Sequence, residues 1–166
     1  MDYSTARNIL QDGDIVMVKS SHSVYNLLTK LFTGKYTHTG IVVWLDGGLW
    51  MAELNTGKNH VIPLSQLENI RFDVYKCPQN VDRVLVRKNI LESVRISTPY
   101  GYLSAVITAI NEFTDLNRFI HWRKIITCSG FVISILDKSG WIGYSYTVSP
   151  TKLSQSLKLL LEVNND

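Results

Sequence analysis

The chain reads as an α+β protein, a small antiparallel sheet packed against helices, and three features of its 166 residues predict that class. The segment HTGIVVWLDGGLWMAELN, starting at His38, holds two strand-like apolar runs around DGG, which is a hairpin signal. Further along, apolar residues recur at helical spacing in several separate segments. No internal repeat, low-complexity tract or linker divides the sequence, so residues 1–166 are expected to form one domain.

In chain order, ILQDGDIVMV turns at Asp12 and Gly13 and enters a short strand from Asp14 to Val18. Val24, Leu27, Leu28 and Leu31 share a helical face that ends at Gly34. After the hairpin, a third strand is expected to start near Val61 and a fourth to cover Ile70 to Lys76, with Pro78 turning the chain. Val81, Val84, Leu85, Leu91 and Val94 describe an amphipathic helix reaching about Arg95, with Asn80 as its candidate cap. Pro99 breaks the chain before a helix expected from Gly101 to Phe113. Thr127 to Leu136 forms a compact apolar helix stopped around Gly140, and Ser149–Pro150 is a cap and first-turn pair for a last short helix bearing Leu153 and Leu157.

Composition narrows the function classes. With 45% of residues apolar and 19% charged, the chain is neither disordered nor fibrous. A net charge of +3 permits an anionic ligand or surface but gives no concentrated basic patch, so no nucleic-acid partner is expected. Cys77 and Cys128 form neither a disulfide framework nor a metal-type spacing, and no histidine–acid cluster has ligand spacing, so no metal and no cofactor are expected. IITCSGFVISIL is too short to span a bilayer, which leaves peripheral membrane contact as the only kind expected. The amino end, MDYSTARNILQDGD, lacks the apolar core of a signal peptide and favours a cytoplasmic or virus-associated location.

Two places in the sequence carry chemistry. If Asp46–Gly47 is a two-residue turn, Leu45 faces Gly48 and, counting back, Glu53 faces Gly40 while His38 faces Asn55. His38 and Glu53 then share a face as diagonal neighbours, with Gly40 leaving room between them. Such a pair can form an imidazole–carboxylate hydrogen bond that fixes the tautomer and supports an imidazolium. A three-residue turn would instead put Glu53 on the other face unless a bulge restored it. The plainer reading is a strand-edge histidine and a surface carboxylate, but Trp50, Met51, Ala52 and Leu54 surround Glu53 with apolar groups in which an ionised side chain needs a partner. Cys128 opens the run CSGFVISIL ahead of that helix's apolar face, where free N–H groups and the helix dipole favour a thiolate and its own N–H could join an oxyanion hole. Cys77, in DVYKCPQN, has no such setting and reads as a buried structural thiol.

The successive motifs DGDIVMV, YTHTGIVVW, MAELN, TPYGY, TCSGFV and VSPTKLSQS resemble those of the YiiX-like cysteine hydrolases, over most of the chain from about residue 10 to residue 157. These belong to the circularly permuted branch of the NlpC-type papain-like superfamily, in which the histidine strand precedes the nucleophile helix. The resemblance implies a permuted papain-like fold, Cys128 as nucleophile, His38 as base and Glu53 as the base's orienter. It also implies a substrate that is a peptide, a protein conjugate or another acyl compound, cleaved at an amide bond through a thiol-acyl intermediate. A lipid esterase, acyltransferase or thioesterase on the same fold is the alternative chemistry, though Ser129 after the cysteine resembles the YiiX-like branch more than the acyltransferases. A catalytically inactive binding module is the alternative class. Tyr36, Trp44, Trp50, Tyr100 and Tyr102 flank the motifs as candidate groove residues or packing residues, and Ser20 to Tyr36 could cover the cleft as a flap. His22, His60 and His121 read as surface or packing residues.

Overall fold

The computed structural model of the chain describes residues 3–19, 34–55, 58–95, 127–142 and 148–163. Its elements in order are helix α1 (Tyr3–Ile9), strands β1 (Ile15–Lys19), β2 (Tyr36–Leu45), β3 (Gly48–Asn55) and β4 (Lys58–Pro63), a 3-10 turn (Leu64–Leu67), β5 (Phe72–Tyr75), helices α2 (Arg83–Arg95), α3 (Cys128–Lys138) and α4 (Pro150–Ser154), and β6 (Leu159–Val163). The strands form one open antiparallel sheet in the order β4-β3-β2-β1-β5-β6, so the architecture is the α+β class expected from the sequence. The helices expected over Val24–Leu31 and Gly101–Phe113 and nearly all of the flap segment lie outside the described residues, as do His22, Tyr100, Tyr102 and His121.

Both faces of the sheet are covered, which explains the continuous apolar run of β1. On one face Ile15, Met17, Ile41, Val43, Ala52 and Leu54 pack with Phe131, Val132, Ile135 and Leu136 of α3. On the other, Val16, Val42, Met51, Phe72 and Val74 pack with Leu10, Leu64, Leu67, Leu161 and Val163. Asp14 ties the first turn to later chain: one carboxylate oxygen accepts from the Gln11 N–H, the other from the Cys77 N–H and the Arg83 guanidinium. Among the described residues no helix is long and apolar enough to cross a membrane.

Four elements depart from expectation. β4 begins at Lys58, not near Val61, because Asn55 pairs directly with Lys58 and closes a second tight hairpin. Helix α2 begins at Arg83 and is capped by Asp82, whose Oδ1 accepts the N–H of Val84 at 2.8 Å and of Leu85 at 3.3 Å; the Asn80 amide instead donates to Gly140 O. The buried stripe of α2 is Val86 and Ile90, one helical turn apart, while Val84 is 77% exposed and Leu85 and Leu91 are also exposed. Helix α1 and edge strand β6 have no counterpart in the sequence reading. In β6, Leu161 and Val163 alternate inward and complete the second core.

Candidate active site

The site is built on the β2–β3 hairpin. Asp46 and Gly47 both take positive φ (49° and 72°), the two-residue type I′ geometry whose twist matches antiparallel strands. Leu45 therefore pairs with Gly48, and the register runs back unbroken to Gly40 opposite Glu53. Glu53 pairs on its other side with His60, so Gly40, Glu53 and His60 form one row across three strands. A side chain at Gly40 has no room: a Cβ there would lie 2.5 Å from Met51 Cγ and 2.9 Å from Ala52 O. Gly40→Ala is expected to destabilise the protein by about 1–3 kcal/mol in urea denaturation, because the backbone carbonyl cannot yield as a side-chain end can.

Strand β2 is pinned at both ends. The Tyr36 N–H donates to Thr151 Oγ1 of α4 at 3.1 Å, and the Trp44 N–H to Asp12 Oδ1 at 2.6 Å. A bulge in the β1–β2 pairing, between Val18–His38 and Lys19–Tyr36, breaks the alternation just before His38. Tyr36 is thereby turned into the core, where its hydroxyl meets Asp73 and lies 2.8 Å from the Tyr75 hydroxyl. Tyr36 is thus a core residue, and the Trp44 and Trp50 ring N–H groups are held by the carbonyls of Leu10 and Leu45.

Past Gly40 the two central strands part. Val42 N–H donates to Asp14 O on the β1 side, so by alternation the N–H groups of Ile41 and Thr39 face β3. The β2–β3 ladder ends at Gly40–Glu53, and the Thr39 N–H donates to the Cys128 sulfur. Helix α3 delivers that sulfur. Thr127 is its N-cap, with Oγ1 accepting the Gly130 N–H at 3.1 Å, and Cys128 is its first residue. Ser129 is fully buried, its hydroxyl donating to Val148 O beside the start of α4.

The three residues singled out from the sequence meet here. His38 Nε2 lies 2.7 Å from Glu53 Oε2, which leaves Nδ1 as the ring nitrogen that hydrogen-bonds Cys128. Burial pushes the Cys128 thiol up, but the hydrogen bond and charge of His38 and the N–H groups of Thr39 and Ser129 outweigh it and hold the pKa below the usual thiol range. Burial pulls the His38 pKa down, yet the Cys128 thiolate and then Glu53 raise it well above its ordinary value. Burial likewise pushes Glu53 up, and His38, Asn55 and His60 together hold it below the usual carboxylate range. The arrangement favours a thiolate–imidazolium pair backed by an ionised carboxylate. Cys77 is the contrast, a buried thiol raised to about 11 by desolvation.

The fourth member of the cluster is His60, which the sequence reading assigned to the surface or to packing and which instead contacts Glu53. His60 Nε2 sits 3.0 Å from Glu53 Oε1, to which the Asn55 amide also donates at 3.4 Å. The missed signal is the Thr-Gly pair after Asn55, a second tight-turn candidate whose register sets His60 directly beside Glu53.

A six-stranded open antiparallel sheet, with a cysteine-initiated helix against its central hairpin, defines a YiiX-like fold of the α+β class. One solved structure that carries this likeness is that of the metalloprotein YiiX from Escherichia coli O157:H7, with a TM-score of 0.54 and 19% sequence identity. The match covers 78% of this chain and 66% of that one, just under two thirds of the neighbour's length. No protein-family model and no curated protein matches the chain.

Proposed function

We propose that the protein is a cysteine hydrolase that cleaves an amide bond, in a peptide or a protein conjugate, through a thiol-acyl intermediate. The observation that carries this reading is the chain of contacts Cys128–His38–Glu53: a sulfur at a helix start, an imidazole on it, and a buried carboxylate on the far ring nitrogen. The chain order, with the histidine strand before the nucleophile helix, agrees with the permuted papain-like arrangement that the motifs resemble.

In the proposed reaction the Cys128 thiolate attacks the substrate carbonyl, forming a C–S bond and placing negative charge on oxygen. The Cys128 N–H, which as the first in its helix has no partner within α3, is the candidate donor to that oxygen. The imidazolium of His38 gives its proton to the leaving nitrogen as the C–N bond breaks. His38 then takes a proton from water, whose oxygen attacks the thioester and releases the acid and the thiolate. Glu53 keeps the ring oriented and its positive form favoured.

The neighbour is named a metalloprotein. Here the Nε2 atoms of His38 and His60 face the two oxygens of Glu53 at hydrogen-bonding distances. Among the described residues no group of three or more His, Cys, Asp or Glu is arranged to hold an ion. The residues do not fit a metal, and no step is routed through one.

A panel of peptide, isopeptide, thioester and phospholipid substrates tests the reading, with denatured protein as control. Turnover in the amide arms that is lost in Cys128→Ala is expected; turnover of phospholipid or thioester alone would replace amide cleavage with acyl-ester chemistry. No turnover, together with equal slow alkylation of Cys128 and Cys77, would leave a binding module. Glu53→Gln should lower turnover about tenfold and Glu53→Ala about thirtyfold, since neutral Gln can still accept from imidazole whereas Ala loses both hydrogen bond and charge.

A further inference from the structure

His60 stands outside the Cys128–His38–Glu53 chain yet holds the second oxygen of its carboxylate. Its Nδ1 lies 3.2 Å from Lys58 O and its Nε2 3.0 Å from Glu53 Oε1. A backbone carbonyl only accepts, and an ionised carboxylate only accepts. Both ring nitrogens therefore face acceptors, and satisfying both requires a proton on each. A neutral imidazole, with one N–H and one lone pair, would set its lone pair against an oxygen.

We propose that His60, as an imidazolium, is a positioning residue of the site: it clamps Glu53 Oε1 so that Oε2 stays ionised and aimed at His38. This deepens the hydrolase reading and rests on it for its catalytic meaning, although the clamp itself is a matter of geometry. Glu53 is nearly fully buried, with 5% of its side chain exposed, and half of its hydrogen-bonding capacity is on the side away from His38. His60 is 36% exposed at the side chain, so solvent reaches its ring while Nε2 contacts Glu53. Among the described residues the charged groups around it are few. Strand β3 presents Glu53, with His38 beyond that carboxylate; on its own strand Lys58 is exposed. Helix α2 meets β4 through Asn59, whose amide donates to Ser93 O, and alternation puts that contact on the opposite face from His60.

The consequence is an acid limit set partly by His60. The contact from His60 opposes protonation of Glu53, and with it the loss of the thiolate–imidazolium pair. The test compares wild type, His60→Phe, which keeps a ring without donors, and His60→Gln, which keeps a neutral amide donor. Two readouts are used: the titration of the Glu53 carboxylate by carbon NMR, and the rate of Cys128 alkylation by iodoacetamide at pH 5. His60→Phe should move the Glu53 midpoint upward and slow alkylation about three- to tenfold, the size expected for one partly exposed charge-assisted hydrogen bond. His60→Gln should recover at least half of the lost rate. An unmoved Glu53 titration in a folded His60→Phe protein, with circular dichroism as the check, overturns the proposal. If wild-type Cys128 reacts no faster than Cys77, the hydrolase reading fails instead, and the carboxylate titration still decides whether His60 holds Glu53.

Discussion

His38→Ala is expected to slow the reaction of Cys128 with iodoacetamide at pH 7 by about a hundredfold, leaving Cys77 unchanged. The sulfur of Cys128 is buried, and burial alone disfavours its thiolate; the hydrogen bond and charge of His38 head the groups that reverse this. Without the imidazole, the thiol returns to or above an ordinary pKa of about 8.5–9 and is on the order of 1% ionised at neutral pH. The shape of the pH dependence separates this from simple loss of access. Wild-type alkylation should be nearly flat across neutrality, because the thiol is already ionised. In the variant the rate should climb about tenfold per pH unit until the free thiol titrates. A flat but lower profile in His38→Ala would mean that His38 shapes the approach to the sulfur and does not ionise it.

Asp73→Ala should cost about 3–5 kcal/mol in urea denaturation at pH 7, the range for removing one partner from a buried charged network. Asp73 is fully buried, with Lys19 at 2.6 Å, Lys35 at 2.9 Å and the Tyr36 hydroxyl on its carboxylate. Burial pushes its pKa up, but Lys19, Tyr36 and Lys35 outweigh that and hold it below the usual carboxylate value. A carboxylate depressed in the folded state adds stability that is complete above the unfolded value of about 4 and is lost as pH falls through the folded value. The gap between wild type and Asp73→Ala should therefore narrow below about pH 4, which paired urea titrations at neutral and acid pH would measure. A constant gap would assign the cost to packing around Tyr36 and Tyr75.

The parts of this molecule that could be read in advance are those whose geometry is set locally. Once Asp46–Gly47 forms a two-residue turn the hairpin register is set, so the placement of Glu53 opposite Gly40 follows from counting. Thr127 and Ser149–Pro150 cap their helices through contacts three residues ahead. The phase of α2 was not legible because apolar residues stand all around it, and only the position of α3 decides that Val86 and Ile90 turn inward. Tyr36 shows a second limit. Simple alternation would put it on the face of His38, and a bulge, invisible in composition, reverses it. His60 was lost with the register of the second hairpin. The Cys128–His38 contact joins distant parts of the chain, and only the resemblance to known motifs suggested it.

The split origin of the site bears on how the chain comes to be reactive. His38 and Glu53 lie on adjacent strands joined by a tight turn, whereas Cys128 comes from a helix much later in the chain. Short loops close at small entropic cost and form early, while distant contacts wait for the chain to condense. The imidazole–carboxylate pair can thus assemble in a growing chain before the sulfur has been synthesised. Until α3 docks, Cys128 is an ordinary thiol, mostly protonated at neutral pH and slow to oxidise or to capture a neighbouring carbonyl. The lowered pKa of the Cys128 thiol is in this sense a property of completed tertiary structure, which a nascent or partly unfolded copy does not have.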